Sequence, residues 1–116
     1  KRAKELLFGG RQERVIKIFL RNLESGEERV RRNAILGLSK IDSPLAVTAL
    51  RKIAFGREVN LSIAAIRGLG WLKDKGCLDG LSALINNPNA ESSQRKVAEL
   101  VYQEIVETSF QEKQSE

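Results

Sequence analysis

The apolar positions of the chain are spaced as on one face of an α-helix. Steps of four, four and three separate Val30, Ala34, Leu38 and Ile41. These steps keep side chains on one side of a helix, because an α-helix has 3.6 residues per turn. A second helical stripe contains Val47, Leu50, Ile53 and Ala54. Asp42 or Ser43 can cap this second helix, and Pro44 suits its first turn. The short connection predicts an antiparallel helical hairpin.

The same pattern recurs 31 residues later. Apolar residues align in the pairs Val30 and Leu61, Ala34 and Ala65, Ile35 and Ile66, Leu38 and Leu69, and Ile41 and Leu72. Gly37 falls on Gly68, in the middle of a helix, where a glycine costs about 1 kcal/mol relative to alanine. We therefore expect another helix to cross closely at both glycines. A helix pair that repeats along a chain is typical of stacked helical repeats.

The pattern divides the chain into seven predicted helices, which cover about residues 2–8, 12–23, 27–41, 44–54, 59–72, 76–86 and 90–106. We expect the first helix to end at Gly9-Gly10. Residues 1–107 then form a single domain of about three to three and a half repeats, and residues 108–116 form a polar C-terminal tail that frays. The fold class is all-α, an α-solenoid (superhelix) of antiparallel helix pairs.

Composition and charge bear on the partners and the cellular location of the protein. The chain has 116 residues, 41% of them hydrophobic, and a formal net charge of +5. This charge is compatible with an acidic protein, nucleic acid or anionic lipid, and also with a solubilising surface. No stretch reaches the length of a membrane span. A single cysteine and the absence of a signal-peptide pattern favour a cytoplasmic location. Because the chain contains no Met, we expect it to be a piece or a processed form of a longer protein.

Residues 28–50 carry a resemblance to a known family. Val30-Arg31, Gly37-Leu38 and Ala46-Val47 with Leu50 resemble the HEAT repeat, and more narrowly the HEAT-like repeats of phycobilisome lyase subunits and bacterial scaffold proteins. The match covers roughly residues 12–106, although the second copy has Leu61-Ser62 in place of Val-Arg. The resemblance implies a helical solenoid whose second helices line a concave face. It implies a fold but no particular activity.

The residues that catalysis usually needs are scarce. The chain has no histidine, so a common general base and metal ligand is absent. Cys77 is the one candidate nucleophile, because it lies near the start of a helix and close to Lys73 and Lys75. It also occupies the position of Ala46 in the preceding unit, which favours a packing role. We predict no enzymatic activity, no catalytic or metal-binding residue and no cofactor.

Two features are candidate binding sites. A basic strip on the concave face is predicted from Arg14, Lys17, Arg21, Arg51 and Lys52, all on second helices of their units. The alternative is an ordinary solvated helix face. Trp71 stands where the preceding unit has Lys40, so it is either an interface anchor or a packing residue.

Three functions compete on this evidence. The first is a non-catalytic protein–protein interaction scaffold or assembly module that uses the concave face to bind a partner with an acidic surface. The second is nucleic-acid binding through the basic concave strip, which would depend steeply on salt. The third, motivated by the resemblance alone, is a bilin lyase or isomerase subunit. The sequence leaves the oligomeric state open.

Overall fold

The regular structure of the chain is helical. The computed structural model describes the backbone of residues 2–115 and the side chains of residues 10–114. Between residues 2 and 115 there are six α-helices and no strand. The helices are α1 Arg2–Asn22, α2 Glu28–Leu38, α3 Pro44–Ala54, α4 Val59–Trp71, α5 Leu78–Ile85 and α6 Ser92–Ser115, with a 3₁₀ turn at Lys75–Cys77 before α5. The all-α prediction is confirmed.

The helices pack in two rows. In the first row α2 contacts α4, and α4 contacts α6. In the second row α1 packs on α2, α3 packs on α4 and α5 packs on α6. The Cα atoms span 49 × 46 × 16 Å. A thickness of 16 Å corresponds to two helices, because packed helices lie about 8–10 Å apart and each Cα cylinder has a radius of about 2.3 Å.

The start of α3 shows how a local signal becomes structure. Ser43 is the N-cap residue with extended backbone angles, and Pro44 is the first helical residue, as predicted. The Ser43 side chain makes no capping hydrogen bond. Proline at this position has a φ angle already suited to the helix, and its missing N–H would have had no helical partner. Pro44, rather than a capping side chain, therefore fixes the beginning of α3.

The core lies between the two rows. Its largest side chains, each less than 2% exposed, are Ile16, Ile35, Leu38, Leu50, Ile66, Leu69, Leu81 and Ile105. The aligned pair Leu38 and Leu69 is fully buried, which agrees with the repeat pattern. Each helix thus contributes its apolar stripe to one continuous cluster.

The glycines at the aligned positions are packing residues, but side chains occupy the space beside them. A Cβ atom on Gly37 would overlap the ring of Phe19 from α1. A Cβ atom on Gly68 would lie 2.9 Å from the Cβ of Ser39 and closer still to its hydroxyl oxygen. The expected close approach is therefore real, although the neighbour of Gly68 is the residue that follows α2 rather than a crossing helix backbone.

A short chain of buried hydrogen bonds joins α6, α4 and α3. The Gln94 amide of α6 donates to the Ser62 hydroxyl of α4 at 2.9 Å, and Ser62 donates to the Ala54 carbonyl at the end of α3. Gln94 is 7% exposed and Ser62 is fully buried. Because a buried polar group without a partner costs about 1–3 kcal/mol, these bonds make the polar side chains acceptable inside the core.

The predicted break at Gly9-Gly10 is wrong, because α1 continues through both residues. Glycine lowers helix stability without preventing helical angles, and unlike proline it keeps its backbone N–H.

The tail is also more helical than expected, since α6 extends to Ser115. The stretch after residue 107 contains neither glycine nor proline. The Thr108 hydroxyl donates to the Glu104 carbonyl at 2.8 Å, and Lys75 lies 3.7 Å from the Glu112 carboxylate. The C-terminal turns of α6 therefore contact the turn before α5 as well as continuing the helix.

We predict opposite effects for two glycine substitutions. Gly68→Ala should lower the free energy of unfolding by about 1–3 kcal/mol, because its methyl group overlaps Ser39 in a packed core. Gly10→Ala should raise it by about 1 kcal/mol, because nothing lies within 4 Å of a Cβ at that helical position. Urea denaturation followed by circular dichroism measures both. Equal effects of the two substitutions would contradict the packing role of Gly68.

Candidate interaction surface

The α1 part of the predicted basic strip is exposed. Arg14, Lys17 and Arg21 all lie on the solvent side of α1, opposite the buried Ile16. The Arg14 Nε atom donates to the Gly10 carbonyl at 3.3 Å. These three cations are therefore available to a partner, and whether they bind one stays a prediction.

Arg51 differs from the other strip residues because it is paired within the chain. Its Nε atom donates to Asp74 Oδ2 at 2.7 Å, and its Nη2 atom donates to Oδ1 at 2.6 Å. The Asp74 side chain is 10% exposed and that of Arg51 is 41% exposed. The hydrogen bonds to Asp74 raise the pKa of Arg51 above its usual value, and the negative charge of Asp74 adds to this effect. The positive charge of Arg51 is thus balanced locally.

The end of α4 places Asp74 at this position. Lys73 has a φ of 53° in the left-handed region. The Lys73 amide donates to the Gly70 carbonyl at 3.1 Å, and the Asp74 amide donates to the Leu69 carbonyl at 3.0 Å. This is the Schellman pattern that ends helices. The Asp74 carboxylate then accepts from the Gly76 amide at 3.3 Å as well as from Arg51.

Lys52 lies elsewhere, at a groove between α1 and α3. The groove has a volume of about 390 Å³, and Leu20, Leu23 and Ile53 are among its lining residues. Lys52 contributes a charge to its wall, whereas Arg14, Lys17 and Arg21 are not among the lining residues. The structure therefore does not bring Arg51 and Lys52 into one site, although they are adjacent in sequence.

Arg31 has a structural role at the rim of the same groove. Its Nη1 atom donates to the Ser25 carbonyl at 2.9 Å, and its Nη2 atom lies 3.1 Å from the carboxylate of Glu58. Glu58 is the N-cap residue of α4. The arginine thus joins the loop before α2 to the start of α4, which supports a packing role for the Val30-Arg31 pair.

Trp71 is the most exposed apolar side chain on α4. It is 58% exposed at the last residue of the helix. A shallow groove of about 370 Å³ separates α4 from α2 on one side of it, and Leu36 and Ile63 belong to its lining. A second groove of about 280 Å³ separates α4 from α6 on the other side, and its lining includes Leu100 and Val101. Trp71 and Arg67 line both grooves.

We call this region the Trp71 surface; it consists of Arg32, Leu36, Ile63, Arg67, Trp71, Leu100 and Glu104. Its charges are unevenly placed. No carboxylate belongs to the lining of the groove between α2 and α4, which contains Arg32 and Arg67. Within the described residues no acidic oxygen lies within 4.0 Å of the Arg67 guanidinium, while Arg32 is 3.4 Å from Glu28. Glu104 lines the other groove.

Cys77 is buried rather than presented to a substrate. It is 1% exposed, and its Sγ atom donates to the Asp74 carbonyl at 3.1 Å. Burial raises the pKa of the Cys77 thiol to about 11, and the negative charge of Asp74 adds to the rise. Because the thiolate is the reactive form, this environment favours the packing role.

Neither a metal-binding cluster nor a membrane-spanning helix occurs in the described part of the chain. No group of three or more Cys, Asp or Glu side chains there is arranged to hold a metal ion. None of the helices described is long and apolar enough to cross a membrane.

Sequence reasoning singled out Trp71 but missed the rest of its surface. Leu36 aligns with Arg67 across the repeat, and Arg32 aligns with Ile63. An apolar residue in one copy and an arginine in the other signal a position at the edge of the core, because a fully buried site does not readily accept an arginine. This alternation was the available signal for the groove between α2 and α4.

A scan of protein-family models, a search of curated proteins and a search of solved structures each found no match to this chain. The resemblance to HEAT-like repeats therefore rests on the chain's own residues.

We predict that the two adjacent cations of α3 differ in their effect on stability. Arg51→Gln should lower the free energy of unfolding by about 1–2 kcal/mol, because it removes two charged hydrogen bonds to a largely buried carboxylate. Lys52→Gln is the matched control and should change it by less than about 0.5 kcal/mol. Urea denaturation measures both, and an equal loss for the two would show that the pair with Asp74 contributes nothing.

The Cys77 environment predicts a loss of stability at high pH. The folded thiol has a pKa of about 11 against 9.0 for the ordinary thiol. Between these values the unfolded chain loses the proton while the folded chain keeps it, so the free energy of unfolding falls as pH rises from about 9 to 11. The difference between the wild type and Cys77→Ala, measured in urea at pH 8 and pH 10.5, isolates this effect. A difference independent of pH would contradict the environment described.

Proposed function

We propose that this chain is a non-catalytic protein–protein interaction module built as a HEAT-like α-solenoid. The two rows of helices support the architecture, because the aligned helices α2 and α4 lie in one row and α3 lies in the other. Stacked helix pairs use their apolar stripes on one another and leave long outer faces for binding.

The observation that carries the proposal is the exposure of Trp71 between two grooves that are each lined in part by apolar side chains. A tryptophan that is 58% exposed leaves a large apolar area in water. Trp is enriched among the residues that dominate binding energy, and such residues lose their contact with water when the partner binds. The grooves on either side of Trp71 leave room for side chains of a partner.

The partner we propose for this surface is an apolar protein segment with carboxylates beside its apolar residues. Apolar side chains of the segment lie in the groove between α2 and α4, and its carboxylates face Arg67 and Arg32. Arg67 is the stronger candidate, since Arg32 already has Glu28 nearby. Charge-assisted bonds from arginine to carboxylates give such a contact its orientation.

Nucleic-acid binding through the basic strip is the weaker alternative. It needs several cations free to contact phosphates, and Arg51 already holds Asp74. No observation on the described residues favours a bilin lyase or isomerase subunit.

We expect Trp71→Ala to weaken capture of the partner by roughly tenfold or more without lowering the melting temperature. The chain serves as bait in native lysate, with and without nuclease, and mass spectrometry identifies the retained proteins. Phe110→Ala is the matched control, because Phe110 is 61% exposed and lies outside the Trp71 surface. The variant Arg14→Glu/Lys17→Glu/Arg21→Glu tests the basic strip in the same assay.

Each result has a distinct meaning. Loss with Trp71→Ala alone supports the proposal. Loss with the triple reversal alone assigns binding to the basic strip instead. Captured proteins that are lost after nuclease treatment indicate binding through nucleic acid. Capture of the same proteins by every variant rules out both surfaces.

A further inference from the structure

The groove between α2 and α4 lies between two helices that run in the same direction. Near their first turns, the Arg31 guanidinium of α2 lies 3.1 Å from the carboxylate of Glu58, the N-cap residue of α4. Near their last turns, a Cβ atom on Gly68 would lie 2.9 Å from the Cβ of Ser39, the residue that follows α2. The two walls of the groove are therefore parallel helices.

The wall formed by α4 is one face of that helix along most of its length. Its lining residues recur every three or four positions and are Asn60, Ile63 with Ala64, Arg67 and Trp71. At 1.5 Å per residue, the span from residue 60 to residue 71 is about 16 Å long. The α2 wall adds Arg32 and Leu36, which are one turn apart. The groove thus follows the helix axes for about three turns.

The groove is apolar in its middle and basic toward its two ends. Leu36, Ile63 and Ala64 form the apolar part. The contacts between the two helices place Arg32 level with the first turn of α4, at about residues 59–61. Arg67 is six to eight residues further along, or roughly 9–12 Å along the helix axis. The two arginines lie on opposite walls, about two turns apart.

The charge of the groove is positive. Its lining contains Arg32 and Arg67 and no carboxylate. Glu28 is 3.4 Å from Arg32, but both side chains are about half exposed, and an exposed ion pair of this kind contributes little. Among the described residues no acidic oxygen lies within 4.0 Å of the Arg67 guanidinium. An occupant that complements these charges has carboxylates on both sides.

The groove offers an occupant few hydrogen-bond partners for its backbone. The N–H and C=O groups of the walls are bonded within α2 and α4. Apart from the two arginines, the polar side chain in the lining is Asn60. An extended segment would lose water from its backbone groups here without gaining other partners, whereas an α-helix bonds these groups internally. The surroundings therefore favour a helical occupant.

The size of the groove determines how much of such a helix enters it. The groove has a volume of about 370 Å³. A helix of three turns with a diameter of about 10 Å occupies more than about 1,000 Å³. Only one stripe of its side chains can therefore lie in the groove, and its other side stays in water. The occupant must be apolar on one side and polar on the other.

We propose that this groove binds an amphipathic α-helix of the partner, about three turns long, with carboxylates on both sides of its apolar stripe. The inference rests on the proposed function, because it specifies what occupies the Trp71 surface. The apolar stripe covers Leu36 and Ile63, and Trp71 covers its end. Arg67 and Arg32 each bind one carboxylate, and the two carboxylates are about two turns apart on the bound helix.

The fluorescence of Trp71 reports directly on this surface, because Trp71 is the only tryptophan of the chain. The probe is a synthetic peptide of about 18 residues without tryptophan, long enough to form a helix in part by itself. It has leucines at steps of three and four, and glutamates on both sides of this stripe. Adding it to the purified chain should move the emission to shorter wavelengths, as Trp71 leaves water. A variant peptide with two central prolines should bind at least tenfold more weakly.

Charge reversal tests the orientation of the bound helix. Arg67→Glu should weaken binding of the glutamate peptide by roughly tenfold or more. The same variant should bind a peptide with lysine in place of each glutamate more tightly than the wild type does. Arg57→Glu is the matched control, because Arg57 is exposed and does not line this groove. It should bind the glutamate peptide as the wild type does.

Three results would overturn the proposal. One is a Trp71 emission that no peptide changes at concentrations up to about 1 mM. Another is equal binding of the helical peptide and its proline variant, which indicates an extended segment. The third is equal binding of the glutamate peptide by Arg67→Glu and the wild type.

Capture from lysate separates this inference from the proposed function. Capture that depends on Trp71, combined with peptides that fail to bind, retains the interaction module and removes the helical occupant. Capture that is unchanged in Trp71→Ala removes the function proposed for this surface, whatever the peptides do.

Discussion

The fold depends on the packing of α4 against neighbours on three sides. Helices α2, α3 and α6 all contact it, so its inward positions must be small or must fit their neighbours closely. Ala65 and Gly68 are small enough for this, and Ser62 is both small and hydrogen-bonded through Gln94 to α6. The hydroxyl of Ser39 occupies the space that a side chain at Gly68 would need. A helix buried in this way sets the position of both rows.

The candidate interaction surface follows from the same constraint. Three neighbours leave α4 one outer edge, and the residues on that edge cannot all join the core. Arg67 and Trp71 project from it between the grooves toward α2 and α6. The exposed part of the Trp71 side chain adds little to the stability of the fold, because apolar area stabilises a protein only when it is removed from water. The exposed edge of α4 is therefore where we place the proposed partner.

The sequence predicts what depends on local periodicity and misses what depends on distant contacts. The stripes around Leu38 and Leu69 predict the helices and their buried sides, because burial repeats with the helical turn. Gly9-Gly10 was misread because glycine lowers helix stability without ending a helix. The pairing of Arg51 is not visible in the pattern, since Asp74 is 23 residues away and reaches it through a turn with left-handed Lys73. Adjacent residues of a charged stripe can thus have different roles.

The net charge of +5 conceals which cations are already paired within the chain. Arg51 balances Asp74 and Arg31 contacts Glu58, so the free cations of the predicted strip lie mainly on α1. Helix α6 carries charges of both signs, because Lys96 and Lys113 are exposed on it as well as Glu99 and Glu107. Exposed cations that have no acidic neighbour steer and orient an acidic partner more than cations paired within the chain do. Since the Trp71 surface involves α2, α4 and α6, it shares no residue with the cations of α1, and variants of the two candidate surfaces test them independently.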